Sequence, residues 1–280
     1  GVMAGSFVAC SIASYLWITT EGIRPVVWNI PWIPIPGTEA GWLYLGVLAD
    51  SLTILMMTMV TLISTLVHLY ATGYMAGDKR YNRFFVYLSM FTFSMLGIVT
   101  ANSLIMLLVF WELVGLTSYL LIGFWFEKKG PQLASKKAFV MNRIGDAGFF
   151  IGIGILFYQL KGQLLLPVAG GETGNIFEGV LELLKAQGLS VTNPPLWLTL
   201  AGIGIFFGAI GKSAQFPLHT WLPDAMEGPT PVSSIVHSAT MVAAGVYLTA
   251  RVYPILTPEA HLFIASIGLI TLILGACMAM

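Results

Sequence analysis

A few ionisable residues of this chain lie inside apolar stretches, where charged side chains are least expected. Glu112, Lys212 and His237 each stand within a long apolar run, and Arg143 and Asp146 stand together in another. A charge in the hydrocarbon core of a membrane costs about 3 to more than 10 kcal/mol unless it is paired or hydrated, so such residues usually mark an ion path. The first hypothesis is therefore transport of protons or cations across a membrane.

Lys212 ends the glycine-rich apolar run GIGIFFGAIGK, and Pro217 follows shortly after it. Proline removes a backbone donor and breaks a helix within about a turn. Unwound backbone at membrane depth is tolerated only where protein or water covers it, and broken helices build the ion sites of many transporters. We therefore predict a broken helix with Lys212 near its end. His219 lies inside the predicted break, as a relay member or an interfacial histidine.

Glu112 lies near the middle of the apolar run from Ser103 to Phe126, and Gly115 follows it at helical spacing. A buried acid near a cation can exchange protons, whereas a permanently paired structural acid is the alternative. Arg143 and Asp146 occupy neighbouring positions on one helix face, which predicts either a structural ion pair or a pair that takes part in proton transfer. Arg143 is also a candidate partner for Glu112 on the preceding helix.

His237 lies inside the last but one apolar run. Thr230 and Pro231 are typical of a helix start, with threonine as the N-cap and proline at the first position. A histidine titrates near neutrality, which suits proton exchange among the neighbouring hydroxyl groups. A histidine that is only hydrogen-bonded between helices is the alternative.

The elements that position these residues follow from composition and run length. Apolar residues make up 57% of the chain and charged residues 9%, against about a quarter charged in soluble domains, so we predict an all-α polytopic membrane protein in one transmembrane domain. A membrane-crossing helix needs about 20 apolar residues. We predict about eight such helices, over residues 2–20, 43–72, 84–101, 103–126, 134–161, 197–217, 231–253 and 261–280.

Several classes of site are excluded or unsupported. The net charge is zero and no basic tract exists, which gives no support to a nucleic-acid partner. Cys10 and Cys277 stand singly in apolar runs, so neither a disulfide framework nor an iron–sulfur ligand set is expected. No metal or cofactor site is predicted. Asp50 is best explained as a structural acid near the membrane interface.

Basic residues in the connections predict the orientation. They follow the second and fourth predicted helices, on the side where the chain begins, and the positive-inside rule places that side in the cytoplasm or its organellar equivalent. These residues are Lys79, Arg80, Arg83, Lys128, Lys129, Lys136 and Lys137. Gly1 and Met280 both lie in or beside apolar runs, so we expect a fragment of a longer chain, incomplete at both ends.

Three segments together resemble a known family. They are FWELVGLTSYLLIGF from Phe110, NRIGD from Asn142, and GKSAQFPLHTWLPDAMEGPTPVSSIVHSATMVAAGVYL from Gly211. They are similar to the large antiporter-like subunits of respiratory complex I, the proton-translocating NADH:quinone oxidoreductase, known as subunit L or chain 5. The similarity covers most of residues 43–280.

The resemblance implies an antiporter-like fold of two inverted five-helix repeats, of which this chain would hold the first, with its broken helix. It implies that Glu112 and Lys212 form a glutamate–lysine pair, that His237 passes protons onward, and that Arg143 and Asp146 flank the pair. Electron transfer in other subunits would drive proton movement here, with a neighbouring antiporter-like subunit and the lipid bilayer as partners. No nicotinamide, flavin, cluster or quinone ligand pattern is visible.

Three alternatives stay open. A multisubunit cation/proton antiporter shares the core, but we would expect a lysine in place of Ala243 there and no Arg143–Asp146 pair. A membrane-bound hydrogenase or plastoquinone-reducing relative is the second, and a passive scaffold that only anchors its neighbours is the third. We expect a bacterial plasma membrane, with an organellar inner membrane as the alternative.

Overall fold

The chain folds into a bundle of membrane-length helices. The computed structural model describes residues 1–20, 25–34, 42–160, 180–182, 184–185, 188–189 and 194–280. Within these ranges, seven helices are long and apolar enough to cross a membrane. They are α1 (Val2–Thr19), α2 (Ser51–Tyr74), α3 (Tyr81–Thr100), α4 (Leu104–Ile122), α5 (Lys129–Gln159), the interrupted helix Thr230–Ile255, and α10 (Pro258–Ala279). The polytopic membrane architecture is thereby confirmed.

The sixth predicted helix, over residues 197–217, is shorter than these seven. Helix α6 (Leu196–Lys212) has 17 residues and ends at the lysine rather than at residue 217. A short helix α7 (Trp221–Asp224) and a 3₁₀ turn (Ala225–Glu227) follow it. The interrupted helix then consists of α8 (Thr230–Val232), a π-helical segment (Ser233–Thr240), α9 (Met241–Val252) and a 3₁₀ turn (Tyr253–Ile255).

A β-hairpin precedes α2, so the prediction of a helix over 43–72 is wrong at its start. Strands β1 (Val26–Pro34) and β2 (Trp42–Ala49) pair antiparallel, and this hairpin is the exception to the all-α class. The sequence WLYLGVLA is rich in aromatic and branched residues, which suit a pleated strand as well as a helix, and the partner strand decides between them. The hairpin reaches the turn between α3 and α4, where Asn102 donates a hydrogen bond to Asn29.

Polar residues shift the other helix boundaries. Helices α3, α5 and α10 begin at Tyr81, Lys129 and Pro258, three to five residues before the apolar runs that predicted them. Helix termini accommodate polar and charged residues that an apolar pattern does not detect. The predicted N-cap at Thr230 is also wrong, because Pro229 holds that position and the Thr230 hydroxyl donates to the Tyr74 hydroxyl over 3.2 Å. The surface helix predicted at 175–186 lies mostly outside the described residues.

Two ion pairs lie on one side of the bundle: one joins the connections after α2 and α4, and the other joins the first turns of α5 to the connection after α6. Arg80 pairs with Glu127 at 2.8 Å, and Lys137 pairs with Asp224 at 2.6 Å. A hydrogen bond from the Arg80 backbone amide lowers the pKa of the Asp78 carboxyl, which also accepts one from the Trp125 indole. The basic connections therefore share one side, as the sequence predicts.

Helices α5 and α6 approach each other backbone to backbone at facing glycines. A Cβ atom added at Gly145 would lie 2.9 Å from the Gly211 Cα atom, and one at Gly152 would lie 2.6 Å from the Ile205 nitrogen. Small residues permit such close helix contact in membranes. This packing brings the face of α5 that carries Asp146 against the last turn of α6.

Candidate functional site

Four charged side chains of alternating sign lie in a row across α4, α5 and α6. Glu112 forms an ion pair with Arg143 of α5, whose Nη2 atom also approaches the Glu112 backbone oxygen at 3.4 Å. The Arg143 Nε atom lies 3.9 Å from the Asp146 Oδ2 atom. The same oxygen lies 3.7 Å from the Lys212 Nζ atom. We call Glu112, Arg143, Asp146 and Lys212 the charge row.

The charge row lies near the middle of the bundle. Glu112 is eight residues from the start of α4 and therefore about 12 Å along it, at a rise of about 1.5 Å per residue. Arg143 is 14 residues into α5, about 21 Å from its start on the same scale. Both positions fall close to the midpoint of their helices.

Lys212 is the most enclosed member of the charge row. Its side chain is 0% exposed, and the Nζ atom has no hydrogen-bond partner among the described residues. The facing ring of Trp111 lies 5.8 Å from that atom. A buried ammonium group without hydrogen bonds is costly, so its charge depends strongly on the Asp146 carboxylate.

Asp146 is shared between the two cations. It is 1% exposed, and its Oδ1 atom accepts a 2.7 Å hydrogen bond from the Trp111 indole nitrogen. The other oxygen faces both Arg143 and Lys212, and it accepts no hydrogen bond from the described residues. The indole therefore fixes the carboxylate, while its free oxygen interacts with one cation on either side.

Gly115 provides the space for both cations. A Cβ atom at this position would lie 2.6 Å from the Lys212 Nζ atom and 2.9 Å from the Arg143 Nη2 atom. Gly115 follows Glu112 by about one turn, and its lack of a side chain leaves room for the ends of both cationic side chains.

The predicted helix break is present, and it begins at Lys212 rather than next to Pro217. One hydrogen bond reaches the last turn of α6 from outside, and another joins the break to α9. The Gly211 oxygen accepts a 3.0 Å hydrogen bond from the Trp221 indole, and the Ser213 hydroxyl donates to the Val242 oxygen over 2.7 Å. A cation in the last turn also interacts favourably with the carbonyl end of a helix dipole.

His237 lies in the π-helical segment rather than in a regular α-helix. Neither of its ring nitrogens has a hydrogen-bond partner in the described part of the chain. Its ring meets the Trp221 indole edge to face at 5.7 Å between centroids. His219 lies in the break, half-buried and stacked on Phe216 at 6.1 Å.

The structure changes part of the predicted arrangement. Arg143 is the partner of Glu112, as one interpretation of the sequence proposed, and it also approaches Asp146. Among the described residues Glu112 makes no ion pair with Lys212, because Arg143 and Asp146 stand between them. His237 makes no hydrogen bond to Lys212.

Sequence reasoning missed two aromatic residues of the site. Trp111 hydrogen-bonds Asp146, and Trp221 contacts both the end of α6 and His237. Both indoles are fully buried, and a buried indole N–H needs an acceptor. A tryptophan next to an intramembrane acid or inside a helix break was the available signal. In the described ranges no group of three or more His, Cys, Asp or Glu residues could hold a metal ion.

Two family models and several relatives match this chain. The family model described as "NADH:quinone oxidoreductase/Mrp antiporter, TM" matches residues 101–280, and the model "NADH-Ubiquinone oxidoreductase (complex I), chain 5 N-terminus" matches 32–85. The chain is 45% identical over 276 residues to the chloroplastic NAD(P)H-quinone oxidoreductase subunit 5 of Anthoceros angustus, covering 97% of this chain and 35% of that one. It is 45% identical over 282 residues to the same subunit of Nephroselmis olivacea, covering 100% and 41%.

The chain therefore spans well under half the length of these two relatives. Among solved structures, a chain of the Mrp complex from Dietzia sp. DQ12-45-1b superposes with a TM-score of 0.76 at 26% identity, covering 99% of this chain and 28% of that chain. A chain of an archaeal membrane-bound sulfane sulfur reductase superposes with a TM-score of 0.69 at 18% identity, over 91% of this chain and 47% of that one, which shows likeness of fold alone.

Proposed function

This chain belongs to the NADH:quinone oxidoreductase/Mrp antiporter membrane family, and from that premise we propose that it translocates protons as a membrane subunit of a complex I type NADH:quinone oxidoreductase. The observation that carries the proposal is the charge row, which holds Glu112, Arg143, Asp146 and Lys212 at mid-depth across three helices. Charges at such depth are expensive and usually functional.

The geometry supports a mechanism in which Arg143 divides its attraction between two acids. When Arg143 binds Glu112, the free oxygen of Asp146 is available to Lys212 and favours the ammonium form. When the Glu112 pair opens and Arg143 moves towards Asp146, Lys212 loses part of this attraction and releases its proton. The fixed hydrogen bond from Trp111 keeps Asp146 in place during the exchange.

Proton transfer beyond Lys212 is proposed to run past the helix break towards His237. Trp221 lies against both the Gly211 carbonyl and the His237 ring, so it borders this step. His219, which stands in the break, is proposed as an accessory relay residue. Water in this region would carry the proton between groups that do not touch.

Electron transfer is proposed to occur in other subunits, with no nicotinamide, flavin, cluster or metal bound to this chain. The partners proposed are other membrane subunits, including a neighbouring antiporter-like subunit, and the lipid bilayer. An organellar membrane is proposed beside the bacterial plasma membrane that the sequence analysis expects, and the chloroplastic relatives support the organellar one. Membrane fractionation with a tagged chain tests the location.

Replacement of the buried amine tests the function. Lys212→Ala in the assembled complex is expected to lower the protons pumped per electron severalfold, because the charge row loses its terminal cation. Lys79→Ala, which removes an exposed loop cation, is the matched control and should leave the ratio unchanged. Pumping is followed by fluorescence quenching in sealed vesicles, with quinone reduction measured in parallel. An unchanged ratio in assembled Lys212→Ala complexes rejects the proposal.

A cation/proton antiporter subunit is the second candidate, because the Mrp chain superposes over 99% of this chain. Ala243, where we would expect a lysine in such a subunit, and the Arg143–Asp146 pair favour the first candidate. The two candidates differ in energy source. Vesicles acidified by electron transfer alone support the oxidoreductase, whereas acidification that requires a sodium gradient supports the antiporter.

A further inference from the structure

A cavity of about 190 Å³ lies between α3, α4 and α5, on the side of the basic connections. It is separate from the charge row and plays no part in the mechanism above. Side chains that can donate hydrogen bonds or carry positive charge dominate its polar lining. They are Arg83, Tyr87, Tyr119, Gln132 and Lys136.

The positive charge of this cavity is uncompensated. Among the described residues no carboxylate lines it, and neither Arg83 nor Lys136 forms an ion pair there. By contrast, Arg80 and Lys137 on the same side of the bundle are paired with Glu127 and Asp224. Two unpaired cations with phenol and amide donors beside them match the oxygens of a phosphate group.

A larger cavity nearby has no such excess of positive charge. It measures about 820 Å³ and is lined by Lys128 and Lys137 together with Asp224 and Glu227. Cations and acids are mixed there, and one pair is already closed at 2.6 Å. The two acids would oppose the binding of an anion in that cavity, so the smaller cavity is the better candidate for an anion site.

The depth of the cavity indicates a membrane ligand. Arg83 lies two residues inside the start of α3, Tyr87 lies about one turn deeper, and Gly123 caps the end of α4. This is the level at which helix ends meet lipid headgroups. Phe126 also lines the cavity and is 53% exposed, which offers an apolar contact beside the cationic groups. We propose that this cavity binds the phosphate headgroup of an anionic membrane lipid.

Photo-crosslinking of the purified, delipidated complex tests the site. The probe is a phosphatidylglycerol with a diazirine near the headgroup, and the expected labels fall on peptides that contain residues 83–87 and 132–136. Unlabelled phosphatidylglycerol should compete, whereas phosphatidylcholine and inorganic phosphate should not. If phosphatidylcholine competes equally, the site does not select a negatively charged headgroup and the proposal is wrong. If inorganic phosphate competes, the ligand is not a lipid and the proposal is also wrong.

The variants Arg83→Gln and Lys136→Gln test how much each cation contributes to the affinity for the probe. One basic residue near a membrane surface contributes about fivefold in affinity, so the double variant should bind the probe about 25-fold more weakly. Lys79→Gln, a loop cation that does not line the cavity, is the control and should change binding less than about twofold. Equal labelling of wild type and double variant overturns the site. If the double variant does not assemble, each single variant should show the fivefold loss, and no loss in either rejects the proposal. Binding is measured without pumping, so this result is independent of the proposed function.

Discussion

Substitution of Gly115 by alanine should impair proton translocation while sparing the fold. The new Cβ atom would lie 2.6 Å from the Lys212 Nζ atom and 2.9 Å from the Arg143 Nη2 atom. Ordinary van der Waals contact begins at 3.4 Å, so these atoms must retreat by 3.4 − 2.6 = 0.8 Å and 3.4 − 2.9 = 0.5 Å. Both are the ends of flexible side chains, and alanine favours a helix interior by up to about 1 kcal/mol. Little loss of stability is expected.

The displacement of the Lys212 Nζ atom is expected to affect the ion pair with Asp146 more than the stability of the fold. If the Lys212 Nζ atom retreats from Asp146, their 3.7 Å separation lengthens to 3.7 + 0.8 = 4.5 Å. At an effective dielectric constant of about 20, the attraction weakens by about 0.8 kcal/mol, or about fourfold in any equilibrium that depends on this pair. A misplacement of about 1 Å in a working site can cost up to about a hundredfold in rate. We therefore expect a fourfold or larger loss of pumping.

The measurement is proton uptake per quinone reduced in vesicles that contain the assembled complex. Gly154→Ala on α5 is the matched control, because a Cβ atom there meets nothing within 4 Å. The reasoning is wrong if Gly115→Ala pumps at the wild-type ratio, or if Gly154→Ala reduces pumping equally. Loss of assembly in Gly115→Ala alone would contradict the prediction of an intact fold.

Two further substitutions test the framework around the site. Gly152→Ala should destabilise the packing of α5 on α6 by about 1–3 kcal/mol, because its Cβ atom would lie 2.6 Å from the Ile205 nitrogen and 2.7 Å from the Ala201 oxygen, which are backbone atoms. A lower melting temperature in detergent checks this, and an unchanged one contradicts it. Asp50→Ala should cost about 3 kcal/mol, because it leaves the 4% exposed Arg251 side chain without its carboxylate. The melting temperature of Asp50→Ala is compared with that of the double variant Asp50→Ala/Arg251→Leu, which removes the unpaired charge as well. Equal melting temperatures for the two variants refute the prediction that the unpaired Arg251 charge destabilises the fold.

Two kinds of feature could be predicted from the sequence: the apolar runs and helical spacings, and the charges whose burial in a membrane costs free energy. The apolar runs located the membrane helices because each must satisfy its backbone within the bilayer, and Pro217 predicted the interruption after Lys212. The spacing of Arg143 and Asp146 predicted a shared helix face, and the structure shows that face next to both other members of the charge row.

The remaining features depend on contacts between distant segments. The strand over Trp42–Ala49 exists because Val26–Pro34 pairs with it, and an apolar run alone does not distinguish the two states. The Asp50–Arg251 pair joins residues 201 positions apart, so a structural role for Asp50 was predictable but its partner was not. The segment SSIVHSAT is rich in serine, threonine and β-branched residues, which are weak helix formers, but that composition alone does not specify the π-helical turn at His237.

The position of Trp221 has a mechanical consequence for the molecule. Its indole nitrogen donates a hydrogen bond to the Gly211 carbonyl next to Lys212, and its ring meets the His237 ring in an edge-to-face contact. One rigid side chain therefore connects the end of α6 with the π-helical segment. A tilt of the Trp221 indole would change the surroundings of the Lys212 amine and of the His237 imidazole together. Lys212 and His237 are therefore linked through Trp221, although they make no hydrogen bond to each other.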